Sequence, residues 1–131
     1  MAELGVLRTD FVGVPVTDRE RSVRFYGETL GLKRNEKASP EWPEFETGNV
    51  TILLNTPEQT GVPFSPSNVA IALRVPDVAA GMKKLEAEGV RFLFEQAYDS
   101  GVCHMAFFKD PDGNSLILHN RHAPYSDGSL P

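Results

Sequence analysis

The chain has a single cysteine, Cys103, in 131 residues. An intrachain disulfide is therefore excluded, and so is a zinc site built from several cysteines of one chain. No apolar run approaches the ~20 residues that a membrane-spanning helix needs. The opening Met1-Ala2-Glu3-Leu4-Gly5-Val6-Leu7-Arg8 lacks a basic stretch followed by an apolar one, the pattern of a secretory leader. The expected setting is cytoplasmic and reducing, with no membrane partner. Basic stretches are missing as well. The 13 Lys and Arg are outnumbered by 18 Asp and Glu, for a net charge of −5, and the two signs are mixed along the chain. Without a cationic stripe to neutralise phosphates, nucleic acid is not an expected partner. What the chain does have is 40% apolar residues, enough for the core of one compact domain of this length.

Two segments read as helices. The first follows Thr17-Asp18 and runs from Arg19 to Leu30. Asp18 is placed to accept from the orphan N–H groups of the first turn, and Thr17 with Glu20 offers an alternative capping box. Val23, Tyr26 and Leu30 share a face, and Gly31 supplies the left-handed stop. The second helix follows Pro76-Asp77 and runs from Val78 to about Glu88. Asp77 caps it, Val78, Met82 and Leu85 form its apolar stripe, and Gly89 ends it. Strands are expected at Phe11–Val16, Lys33–Lys37, Glu44–Thr47, Val50–Asn55, Val69–Val75, Arg91–Phe94, Cys103–Phe108 and Ser115–Asn120. In the fifth of these, the large Val69, Ile71, Leu73 and Val75 should pack under a helix. Asn68, Ala70, Ala72 and Arg74 should line something open. Residues 56–67 hold three prolines and read as a connector, and residues 121–131 as a loose or docked tail.

The two halves repeat each other. Val16-Thr17-Asp18 before one helix matches Val75-Pro76-Asp77 before the other. Gly48-Asn49-Val50-Thr51-Ile52-Leu53-Leu54-Asn55 matches Gly113-Asn114-Ser115-Leu116-Ile117-Leu118-His119-Asn120. The order strand, capped helix, three strands thus occurs twice, and such units pack on each other because one alone buries too little. The segment from Phe11 through Phe25-Tyr26 to Leu30-Gly31-Leu32 resembles the opening module of the glyoxalase / bleomycin-resistance / dioxygenase (vicinal-oxygen-chelate) superfamily. Phe107-Phe108-Lys109-Asp110-Pro111-Asp112-Gly113-Asn114 resembles its closing signature. The resemblance covers residues 8–120. It implies an α+β fold of two βαβββ modules, about 8–55 and 68–120, in one domain spanning 1–131. Their strands would form a curved mixed sheet, an incomplete barrel, around a cup with the helices outside. Asp110 to Asn114 is read as a hairpin in which Pro111 presets the turn, Asp112 accepts local N–H groups and Gly113 takes positive φ.

Metal-dependent members of that superfamily place His and Glu at four inward points. Two lie seven residues before each capping Asp, and two lie three residues after each G-N turn. Here those points are Phe11, Ala70, Ile52 and Ile117, none of which donates to a metal. No metal and no cofactor is therefore expected. Two histidines are candidates for catalysis: His119, two residues beyond Ile117, and His104 on the neighbouring strand. Together with a carboxylate such as Glu46 they are also a conceivable replacement metal set. The expected ligand contacts are Phe11, Trp42, Ile52, Asn68, Ala70, Arg74, Tyr98, Ile117 and His119, a mostly apolar wall with a few polar groups. Trp42 and Tyr98 would either close over a flat ligand from loops or bury themselves against the subunit or a partner, and Arg74 would meet either an anionic ligand group or a salt-bridge partner at the strand end.

The leading reading is a metal-independent protein that binds a small organic molecule, as bleomycin-resistance-type proteins do. The alternative is a metal-free isomerase- or lyase-like enzyme in which His119 or His104 moves a proton. A metal-dependent glyoxalase or dioxygenase with atypical ligands, or an interaction module with a self-filled cup, ranks below these. A homodimer is expected, because an incomplete barrel leaves strand edges to cover.

Overall fold

A computed structural model describes residues 4–131. Module 1 contains β1 (Phe11–Pro15), α1 (Arg19–Arg24), β2 (Lys33–Arg34), β3 (Glu44–Glu46) and β4 (Thr51–Asn55). After a connector holding α2 (Pro57–Thr60), module 2 contains β5 (Ile71–Arg74), α3 (Val78–Ala87), β6 (Tyr98–Asp99), β7 (Cys103–Lys109) and β8 (Ser115–Arg121). The sheet orders are β1-β4-β3-β2 and β5-β8-β7-β6, so the repeat seen in the sequence is a repeat in topology. In each module the first and last strands run parallel and the others antiparallel. The two sheets stay separate: among the described residues no strand of one pairs with a strand of the other, and no barrel closes.

Both helices start as their sequences dictate. The Asp18 carboxylate accepts from the Arg21 amide at 3.1 Å, and the Asp77 carboxylate from the Ala80 amide at 3.0 Å. The Thr17–Glu20 box does not form: Asp18 takes the N-cap position, and the Thr17 hydroxyl donates to Asp112. The first helix changes character after Arg24 and continues as a π turn over Phe25–Thr29, closed by the Leu30 amide on the Phe25 carbonyl at 2.9 Å. That wider turn carries Tyr26, completely buried, and Gly27. A Cβ on Gly27 would stand 3.2 Å from the Phe45 ring, so glycine lets the helix lie close on the sheet. Gly81 does the same in α3 against Leu118, at 3.0 Å.

One face of each sheet is dry. Val14, Phe45, Ile52 and Leu54 pack with Phe25 and Tyr26, and Ala106, Phe108, Leu116 and Leu118 with Val78, Met82 and Leu85. Each fully buried aliphatic or aromatic side chain here contributes about 1.5–3 kcal/mol. Two strand expectations fail. Arg91–Phe94 makes only an isolated bridge, Phe92 to Phe108, and the edge strand of the second sheet is Tyr98–Asp99. Val69 precedes the start of β5 and is exposed rather than packed under α3. Within the connector, α2 is held by a capping box of Thr56 and Gln59.

The closing turn is more than a hairpin. Asp110, not Asp112, takes the local amides: its Oδ1 accepts from the Asp112 and Asn114 N–H groups, both at 2.9 Å. Its Oδ2 accepts from the Asn114 side chain and from the Tyr26 phenol, both at 2.8 Å. Asp112 reaches across to module 1, where Arg21 donates to it at 2.9 Å and the Ser22 hydroxyl at 3.3 Å. Asn114 donates to the Pro15 carbonyl at 2.8 Å. The turn of module 2 is thereby locked onto the helix and first strand of module 1. Gly113 takes positive φ, as expected.

Candidate functional site

The face of each sheet turned away from its helix is open, and strand register decides which residues it carries. In module 1, Phe11 pairs with Thr51, Gly13 with Leu53 and Pro15 with Asn55. Val12, Val14, Ile52 and Leu54 alternate to the helix side. In module 2 the lateral rows Ala72–Ile117–Phe107 and Arg74–His119–Met105–Tyr98 share the open face.

This register corrects the placement of Ile52. Phe11 and Ala70 each stand seven residues before a capping Asp. Two residues later, Gly13 faces Leu53 while Ala72 faces Ile117. Leu53 is therefore the counterpart of Ile117, and Ile52 is a core residue, 1% exposed. The matching G-N sequences hide this one-residue offset. In module 1 the turn is drawn in by the Thr47 hydroxyl, which bonds to the Asn49 side chain and the Val50 carbonyl. In module 2 the Asp110 carboxylate sets the turn. With the register corrected, the four inward points are Phe11, Leu53, Ala70 and Ile117. Their side chains hold no nitrogen, oxygen or sulfur, so they do not fit the metal of the metal-dependent superfamily members. The carboxylates of Glu44 and Glu46 lie on the open face one strand away, and Glu46 accepts from the Thr51 hydroxyl at 3.0 Å.

His104 is also corrected. It pairs with Asn120, while His119 pairs with Met105, so the two imidazoles project from opposite faces of the sheet. A joint His104/His119 site with Glu46 is excluded by that register. His104 instead meets Asp99 and His122 on the outer side.

The remaining candidates separate into groups. Asn68, Ala70 and Ile117 line one open cavity of ≈ 690 Å³, together with Phe92, Leu93 and Phe107. That volume suits a drug-sized molecule. Phe25 and Thr29 from the π turn of module 1 close one side of it, a contribution the sequence did not signal. Arg74, His119 and Tyr98 occupy the far end of the same sheet face. There the tail folds back: the Arg74 guanidinium donates to the Tyr125 phenol at 3.0 Å, and Arg121 lies 4.8 Å over the Tyr125 ring. Arg74 thus has a partner within the chain. Phe11 stands exposed on the other sheet. Trp42 sits beside Pro43, whose carbonyl accepts from Leu54 at 2.9 Å, at the rim of module 1. Cys103 is buried and unpaired.

Known proteins share this architecture. A crystal structure of a glyoxalase/bleomycin resistance protein/dioxygenase from Nocardioides superposes with a TM-score of 0.73 at 22% identity, covering 98% of this chain and 93% of that one. TnmS3, an antibiotic-binding protein from Streptomyces sp. CB03234, gives 0.74 at 24% identity over 91% and 99%. A glyoxalase/bleomycin resistance protein from the same Streptomyces strain gives 0.69 at 25% identity over 86% and 100%. An uncharacterized protein of Mycolicibacterium smegmatis is 29% identical over 101 residues, 77% of this chain and 83% of that one. The family model of the Glyoxalase/Bleomycin resistance protein/Dioxygenase superfamily matches residues 8–118. With nearly the whole chain matched and the twofold βαβββ topology in place, the protein belongs to the glyoxalase/bleomycin resistance protein/dioxygenase superfamily.

Proposed function

We propose that the protein binds a small organic molecule on the open sheet faces, without a metal in the cup. One observation carries the reading: the four inward points are Phe11, Leu53, Ala70 and Ile117, an apolar set where metal-dependent relatives place donors. Apolar burial supplies affinity there, at about 25 cal/mol per Å² removed from water. Asn68, Ser115 and His119, on the same face, supply direction. The Streptomyces relatives, one an antibiotic-binding protein and one a glyoxalase/bleomycin resistance protein, lend support to a natural-product ligand. A second copy of the chain completes the enclosure in this reading, since Phe11, Leu93, Phe94 and Tyr98 are all more than half exposed in a single chain. The reading places the protein in a cytoplasmic setting.

The test is a native mass spectrum of the protein purified from its own host, followed by titration of the stripped protein with metal-free bleomycin as a probe. A retained organic molecule, or saturable bleomycin binding weakened by Leu53→Ala, supports the proposal. It fails if no organic molecule is carried and bleomycin does not bind. Binding or turnover that needs a metal and is lost with His119→Ala also defeats it.

A further inference from the structure

Outside the cup, on the opposite side of the second sheet, three side chains from three separate segments converge. They are Asp99 at the end of β6, His104 in β7 and His122 just past β8. One candidate ligand atom from each lies within 4.8 Å of the others. His104 Nε2 is 3.2 Å from Asp99 Oδ2, and His122 Nε2 is 3.0 Å from Asp99 Oδ1. The two imidazole rings are 4.8 Å apart, centroid to centroid. We propose that Asp99, His104 and His122 form a binding site for a divalent transition-metal ion of the zinc class, independent of the cup.

The donor set is the first reason. Two imidazoles and one carboxylate suit Zn²⁺ and its neighbours, and three protein ligands leave a coordination position open. The spacing is the second. Ligands ~2.0–2.1 Å from a tetrahedral ion stand roughly 3.3 Å from each other. Each imidazole already stands near that distance from one carboxylate oxygen, His104 from Oδ2 and His122 from Oδ1, and the half-exposed rings have room to turn toward a shared ion. The carboxylate is also fixed in place: the Gly101 amide donates to Asp99 Oδ1 at 2.8 Å. The surroundings favour a cation. The groove between α3 and the β6–β7 edge that leads to His104 and Asp99 carries Asp77, Glu86 and Glu95 against one cation, Lys83.

Such a site has a structural consequence. The amides of His122 and Ala123 donate to the Val102 carbonyl at 2.9 and 3.1 Å, which ties the start of the tail to the β6–β7 hairpin. A bound ion would add a second tie at the same place. Because Tyr125 is joined to Arg74 on the open face, the ion would also steady the tail where Tyr125 meets Arg74.

The experiment titrates the dialysed full-length protein with zinc chloride by calorimetry, then repeats the titration with His122→Ala, Asp99→Asn and His119→Ala. Cobalt chloride serves as a visible-absorption probe of ligand geometry. The expected result is one ion per chain for the wild type and for His119→Ala, with a raised melting temperature, and loss of saturable binding in the other two variants. All three ligands are exposed, so circular dichroism should show these variants folded. The proposal is overturned if the wild type binds no stoichiometric zinc, or if binding survives His122→Ala and Asp99→Asn. It is also overturned if binding disappears with His119→Ala, which would move the ion to the cup and defeat the metal-free reading of the cup as well. Failure at the outer site alone leaves that reading intact.

Discussion

The Tyr26 phenol donates to Oδ2 of Asp110 at 2.8 Å, joining two residues 84 positions apart. One lies in the π turn of the first helix and the other opens the last hairpin, so this bond ties module 1 to module 2. Asp110 is 5% exposed and receives four donors, two from backbone amides and two from side chains. A buried carboxylate with that many partners is stable, and one stripped of them is not.

Tyr26→Phe should therefore destabilise the protein by about 1.5–3 kcal/mol, the value of a hydrogen bond to a charged group. Asp110→Ala should cost more, about 3–5 kcal/mol, because it orphans all the donors at once. Urea unfolding measures both. A loss under half a kcal/mol for Asp110→Ala would show that the latch does not hold the modules together.

Burial, and next the Asp110 charge, push the Tyr26 hydroxyl well above the ordinary phenol range. A group whose folded pKa is raised contributes stability that is fully present below its unfolded pKa and is lost as pH rises toward the folded one. The unfolded value is about 10. Urea midpoints of the wild type should thus hold up to about pH 9 and fall above about pH 10, and Tyr26→Phe should flatten the fall. Equal alkaline losses in both proteins would assign the effect to other groups.

The register of β4 separates two adjacent residues. Ile52→Ala should cost about 2–4 kcal/mol of stability, as a core truncation does, and leave the intrinsic affinity for bleomycin unchanged. Leu53→Ala should cost little stability and weaken binding. Paired melting and titration experiments on the two variants test this, and the reverse pattern would restore Ile52 to the open face.

His119→Ala should weaken binding of an organic ligand by about 1 kcal/mol, one hydrogen bond. His104→Ala should leave it unchanged, since His104 lies on the other face. If the protein turns over a substrate with His119 as proton carrier, turnover should instead fall by about 10²-fold or more. Sedimentation completes the set: a clean species near 14.4 kDa at micromolar concentration would contradict closure of the cup by a second copy.

Much of this structure was legible because it is local. Asp18 and Asp77 cap their helices, and Gly31 and Gly113 take positive φ, since those needs are met within a few residues. The repeat was equally visible, as was the alternation of β8, which placed Ile117 and His119 on the open face correctly. What the sequence could not decide was anything that turned on a single-residue offset or on a distant partner. Side chains alternate along a strand, so one residue of slack in the turn at Thr47 sends Ile52 into the core and Leu53 to the open face. His104 was misplaced for the same reason, because its face follows from pairing with Asn120 rather than from its neighbours. Asp110 took the local role expected of Asp112, and Asp112 turned to module 1, because Tyr26, Arg21 and Ser22 lie 84 to 91 positions away in the chain and adjacent only in the fold. Local chemistry fixes the elements, and tertiary packing fixes which face each side chain shows and which far residue it meets.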